Sequence, residues 1–153
     1  MHQQWNEGYD MEIKLASTSG ELAAAMQIRR IVFIEEQHVP IEREQDGKDE
    51  EAKHVLVVAD TNSIATARIR FIDKNKTTIK LERMAVLKEA RGKGIGKQII
   101  EFVNQFAKDN KIKEIVTHSQ WQVIPFYTKS GYGQRGHPFY DAGIAHIEMF
   151  KTI

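Results

Sequence analysis

The sequence predicts an α/β fold of three layers, a mixed and mostly antiparallel sheet of about six or seven strands with helices on both faces. Three observations lead there. Short β-branched runs alternate with two longer runs whose apolar residues recur at helical spacing. Their order along the chain is β-α-β-β-β-α-β-α-β. The 153 residues, 41% hydrophobic and 28% charged, describe a single domain large enough to bury a core.

Met11 to Leu15 alternates and forms the first strand. Residues 1–10 stand outside the pattern and are read as an extension, a tag or a disordered arm, with the domain proper at 11–153. That extension lacks the apolar stretch of a secretory signal. Thr18-x-x-Glu21 is a capping box, and Leu22, Met26, Arg29, Val32 and Phe33 follow at helical spacing. From Gln37 to Glu51 the pattern breaks around Pro40, Gly47 and many charges, giving a loop or a short helix. His54 to Ala59 is a strand, turned by Asp60 to Ser63 into Ile64 to Ile72. Asp73 to Lys76 turns the chain again into a strand from Thr77 to Leu87. Ile95, Ile99, Val103 and Phe106 are the apolar stripe of a helix ending near Asn110. Ile112 to Thr117 is a strand, Pro125 to Ser130 a short helix ended by Gly131, and Gly143 to Phe150 the last strand.

The most informative stretch is Arg91-Gly92-Lys93-Gly94-Ile95-Gly96, between a strand and a helix. Alternating glycines let the backbone approach a ligand and turn successive N–H groups outward. The helix that follows adds its unpaired N–H groups and the positive end of its dipole, which favours an anion such as a phosphate. Arg91, Lys93 and Lys97 add fixed positive charge. The P-loop pattern fails, because Gly96-Lys97 is followed by Gln98 and Arg91 stands where its first glycine belongs. The dinucleotide fingerprint fails as well, with Lys97 at its third glycine.

The strand before the loop changes parity. Ile79 and Leu81 are odd-numbered, Met84 and Val86 even-numbered. An inserted residue near Glu82-Arg83, a β-bulge, would return both pairs to one face. A sheet covered on both faces would accommodate the same pattern without a bulge.

Arg91, Gly94 and Gly96 fit R/Q-x-x-G-x-G/A, and here the chain resembles the GNAT acetyltransferase superfamily, whose acetyl-CoA pyrophosphate sits on that loop. The resemblance extends to Leu81-Glu82-Arg83-Met84-Ala85-Val86, similar to the strand that precedes the loop. It also takes in Pro125-Phe126-Tyr127-Thr128-Lys129-Ser130-Gly131-Tyr132, similar to a second CoA-contacting segment. Arg30-x-x-Phe33-x-x-Glu36-Gln37, Glu44-x-Asp46-x-x-Asp49 and Gly143 to Met149 are similar to a subgroup of small bacterial GNAT proteins of unsettled substrate. The likeness covers roughly Met11 to Lys151.

It implies the bulge, with the strand splayed there to admit the pantetheine arm. It implies acetyl-CoA as cofactor, held by Met84, Ala85, Val86, Arg91, Gly92, Lys93, Gly94, Ile95, Gly96, Lys97, Gln120 and Tyr127. Tyr127 is the expected general acid, donating to the departing thiolate, and a phenol can do so. Glu82, at the suspected bulge, is the first choice of general base, with Glu36 and His146 behind it; His118 is a lone strand histidine of the same kind. The acceptor is expected to be a small-molecule or peptide amine. From Glu35 to Glu51 there are eight acids against Arg43 and Lys48. An acidic rim attracts a cationic amine, and Glu44 and Asp46 recur in the resembling subgroup, so Glu36, Glu44, Asp46 and His146 are the candidate acceptor residues.

Composition excludes other classes. No apolar run approaches the length of a membrane span. A net charge of +1 leaves no nucleic-acid footprint. Zero cysteines exclude disulfides and thiolate chemistry, and scattered histidines give no zinc pattern, so no metal is expected. A cytoplasmic location is expected. Homodimerisation, common in such folds, has no sequence feature of its own here. The expected activity is N-acetyl transfer by direct attack in a ternary complex. The competing readings are a non-catalytic acyl-CoA-binding regulatory module of the same fold and, last, a nucleotide-binding protein of another fold.

Overall fold

The computed structural model describes residues 2–4 and 10–153. Along the chain run β1 (His2–Gln4), β2 (Asp10–Leu15), α1 (Ser19–Arg29), a π-helical segment (Arg30–Glu36), α2 (Ile41–Glu44), β3 (Lys53–Ala59), β4 (Asn62–Phe71), β5 (Thr78–Val86), α3 (Ile95–Asp109), β6 (Glu114–Gln120), α4 (Ile124–Lys129), β7 (Gly133–Asp141) and β8 (Ile144–Thr152). The class is the one expected: mixed α/β with a mostly antiparallel sheet, seven main strands and the short β1. Of the segment 1–10 set apart by sequence, residue 1 and residues 5–9 lie outside the described residues, while β1 pairs with β2. Among the described residues no helix is long and apolar enough to cross a membrane.

The chain forms two compact units, Met1–Arg70 with Arg83–Ile99, and Phe71–Glu82 with Ile100–Ile153. In the first, β1, β2, β3 and β4 pair in sequence order, all neighbours antiparallel where registers run from Met11↔Ala59 to Leu15↔Val55 and from Lys53↔Ile69 to Ala59↔Asn62. The capping box forms as read: the Glu21 N–H donates to Thr18 Oγ1 at 3.1 Å, and the Thr18 N–H donates to Glu21 Oε1 at 3.2 Å. Ala25, Ile28 and Val32 then meet Leu56 and Ala85 in a buried cluster. Residues Ala65 to Ile69 of β4 are buried without a break, so both faces of this strand are covered.

In the second unit the first residues of β5 pair in parallel with β6, from Thr78↔Glu114 to Leu81↔Thr117. β6 then pairs antiparallel with β8, and β8 with β7. Strand β7 is absent from the sequence reading, and the reason is chemical. It is an edge strand with little buried surface, so it carries no apolar alternation, and Gly133, Gly136 and Pro138 read as turn residues. Between Arg135↔Glu148 and Phe139↔His146 three residues of β7 oppose one of β8.

Candidate functional site

In the first unit, the glycine loop has the geometry that its composition predicts. Gly92 and Gly94 lie at φ 77° and 78°, the left-handed region in which a side chain is strained. Apart from its chain neighbours, a Cβ built on either would meet no atom of the described residues within 4 Å, so the loop borders open space. Gly94 O accepts the Gln98 N–H at 3.2 Å and starts α3, whose next N–H groups have no helical partner. Left-handed residues alternating with ordinary ones make successive N–H groups converge, an anion-binding nest. Gly92, Lys93, Gly94 and Lys97 are exposed and Gly96 half-buried, whereas the Ile95 side chain is buried and leaves only its backbone for a ligand.

Arg91 is engaged elsewhere. Its Nη1 and Nη2 donate to the two carboxylate oxygens of Glu36 at 2.6 and 2.9 Å, and its Nε–H donates to Val86 O at 2.9 Å. Its charge is therefore matched within the protein, and Lys93 and Lys97 are the loop's other cations. The guanidinium holds the Glu36 carboxyl below the usual carboxylate range. That is the wrong direction for a base working near neutral pH, and the pairing also takes Glu36 out of the set available to an amine.

The irregularity expected in β5 falls on Arg83, which stands at φ 53° in the middle of the strand. Beyond it Met84 and Val86 are half-buried and Ala85 is buried. The left-handed residue turns the Arg83 side chain toward α2 and the loop after it. Arg83 Nε lies 2.9 Å from Glu44 Oε2, and Nη2 lies 3.3 Å from Asp46 Oδ2. Two further arginines, each only 1% exposed, complete the set. Arg29 binds Glu44 through Nε at 3.0 Å and Nη2 at 2.8 Å, and Asp49 through Nη1 at 2.6 Å. Arg68 binds Asp46 with two nitrogens at 2.8 and 2.7 Å and Asp49 at 2.9 Å. Three cations thus neutralise three carboxylates. Glu44 and Asp46, expected to attract the acceptor, are held by arginines and fasten the loop to the strands beneath it.

In the second unit, Glu82 follows the last residue of the parallel β5–β6 register and pairs with Lys80 at 3.4 Å. Tyr127 is buried in α4, with its ring edge-on to Phe126 and Tyr132 at 5.1 and 5.5 Å. Burial pushes its phenol up, against a hydrogen bond with the Thr117 side chain. Thr117 donates its own proton to Leu81 O at 2.8 Å, so Tyr127 is the donor in that pair and keeps its proton at neutral pH. The Gln120 side chain accepts from Gln122 at 2.6 Å. His146 stacks on Phe139 and shares a hydrogen bond between Nδ1 and Ile144 O at 2.7 Å, a structural role for that ring nitrogen. Burial and Lys80 push His118 down, although Glu148 stands 3.6 Å away.

Sequence reasoning passed over Arg29, Arg68 and Asp49 as partners. A signal existed: Arg29 occupies an apolar-stripe position of the first helix, and Arg68 sits inside a β-branched run, where a charged residue needs a buried counter-ion.

Residues 16–153 match the family model described as an acetyltransferase (GNAT) domain. Uncharacterized protein YyaT of Bacillus subtilis (strain 168) is 38% identical over 146 residues, 94% of this chain and 97% of that protein. The uncharacterized N-acetyltransferase YjcF of the same organism is 34% identical over 142 residues, covering 92% and 99%. The crystal structure of an acyl-CoA N-acyltransferase from Pseudomonas aeruginosa superposes with a TM-score of 0.82 at 25% identity, covering 94% and 99%.

Proposed function

The chain belongs to the GNAT acetyltransferase family, and from that premise we propose that it transfers an acetyl group from acetyl-CoA to a primary amine, by direct attack in a ternary complex. The observation that carries this reading is the pair of left-handed glycines, Gly92 and Gly94, beside open space at the start of α3. The residues present suit a CoA pyrophosphate. The backbone of Gly92 to Gly96 would hold it, with the Lys93 and Lys97 side chains alongside, as an anion on a nest and a helix N-terminus. Met84, Ala85 and Val86 would meet the acyl and pantetheine arm through their backbone. The acyl-CoA named for the Pseudomonas relative supports the same cofactor class.

Acetyl-CoA, when bound, would supply a thioester carbonyl carbon for the amine nitrogen to attack and a thiol as leaving group. The amine gives a proton to a base, for which Glu82 is the candidate, directly or through water. Tyr127, which burial keeps protonated at neutral pH, would donate a proton to the leaving sulfur. Calorimetric titration with acetyl-CoA, with ATP and NAD as controls, tests the cofactor: saturable binding of acetyl-CoA alone is expected. Binding of ATP or NAD instead would overturn it. Tyr127→Phe is expected to lower kcat roughly ten- to hundredfold while CoA affinity stays within about twofold, which separates proton donation from binding. Equal turnover would remove Tyr127 from the acid role.

A further inference from the structure

We propose that Glu36 is a positioning residue for the cofactor loop, acting through Arg91; the inference deepens the acetyl-CoA reading above and rests on it. The first helix does not end as an ordinary α-helix. Arg30–Glu36 is wound as a π-helix, and the Gln37 N–H reaches back five residues to Val32 O at 3.1 Å. One residue added to a helical turn rotates everything after it by about 100°, and such insertions mark functional positions often. Here the rotated residue is Glu36, the last of the segment, and its carboxylate meets the Arg91 guanidinium fork to fork at 2.6 and 2.9 Å. Arg91 also grips Val86 O at 2.9 Å. One guanidinium therefore ties together the end of the first helix, the end of β5 and the first residue of the glycine loop.

The chemistry of that arrangement has a sign. Glu36 is an anion near a loop that would take a polyanionic cofactor, so by charge alone it opposes binding. If Arg91 were needed as a phosphate ligand, the Glu36 pair would compete with the cofactor, and its removal would tighten binding. As a clamp, Glu36 does the reverse: it fixes Arg91 against Val86 and so holds Gly92 and Gly94 in the left-handed conformation that turns their N–H groups outward. Geometry then outweighs charge. Both side chains are more than a third exposed, so the fork is screened and its effect is modest. A bidentate fork also cannot be replaced by a lysine ammonium, which keeps the charge and loses the plane.

The test is calorimetric titration of CoA into the full chain and into E36Q, R91K and the E36Q/R91K double variant. Amide hydrogen exchange of residues 92–96 is followed in the cofactor-free proteins. The clamp predicts CoA dissociation constants raised about three- to tenfold in E36Q and in R91K, with no further loss in the double variant, because the pair acts as one unit. Exchange of the loop amides should quicken in all three. Unchanged or tighter CoA binding by E36Q, or unchanged loop exchange, overturns the clamp while leaving the acetyl-CoA reading intact. A wild-type chain that takes up no CoA overturns the reading itself. Should E36Q melt below the titration temperature, loop amide exchange in cofactor-free R91K, with net charge conserved, decides the question.

Discussion

Arg29→Met is expected to lower the free energy of unfolding by about 3–5 kcal/mol, the range for removing one member of a buried ion-pair set. Arg29 is 1% exposed and makes four close contacts, three to Glu44 (one of them to its backbone carbonyl) and one to Asp49. Its loss leaves the buried Glu44 carboxylate with Arg83 and Asp49 with Arg68. Two buried or half-buried carboxylates then share too little positive charge, and that under-compensation, more than the lost attraction, supplies most of the penalty. Urea denaturation at pH 7 measures it. A change below 1 kcal/mol would mean that Arg83 and water compensate fully. Adding Glu44→Leu to Arg29→Met should recover part of the loss, since the carboxylate that lost one of its two arginines is then gone.

The same carboxylates set the acid limit of the fold. The Asp46 carboxyl is held low, first by its hydrogen bonds to Arg68. Burial pushes Asp49 up, but Arg29 and Arg68 outweigh it and the net direction is down. Groups with depressed folded values stabilise above their unfolded values, near 3.8, and lose that contribution as pH falls through the folded ones. The wild type should therefore lose stability as pH drops below about 4. Asp46→Asn should be less stable at pH 7 and show a shallower loss over that acid window.

Gly94→Val is expected to weaken CoA binding at least thirtyfold, about 2 kcal/mol, through two additive effects. Valine at φ 78° carries roughly 1–2 kcal/mol of backbone strain, more readily relieved by moving the loop than by keeping its shape. Its Cβ would not strike protein, because no atom lies within 4 Å, so it would project into the open space that a close-lying phosphate needs. Calorimetric titration reads the affinity, and thermal unfolding separates it from global damage. Gly92→Ala carries the same kind of strain with less bulk and should weaken binding less. Affinity equal to wild type in Gly94→Val would place the cofactor elsewhere.

Some of this was open to reading in the chain and some was not. Periodicity located the sheet and both long helices, because their apolar residues face a buried layer. The capping box is local chemistry, decided within a few residues, and forms as read; the left-handed Gly92 and Gly94 are equally local. The break in β5 fell on Arg83 because a parity change has few solutions. What stayed hidden depends on partners distant in sequence. Acids between Glu35 and Glu51 look like a rim until Arg29, Arg68 and Arg83 are brought to them, and that pairing spans up to 39 residues for Arg83 and Glu44. The π-helical winding left no periodic trace, and β7 lacked the alternation that only burial imposes.

Strand β7 carries its own consequence. A free sheet edge is a template on which another extended chain can add itself through backbone hydrogen bonds. The interruption between Arg135 and Phe139 divides this edge into two short runs, Gly133 to Arg135 and Phe139 to Asp141. Pro138, inside the interruption, has no N–H to offer a newcomer. The edge is too broken to nucleate a growing ladder, so the chain should resist fibril formation, and deleting residues 136–138 to straighten β7 should expose that hazard as seeded aggregation.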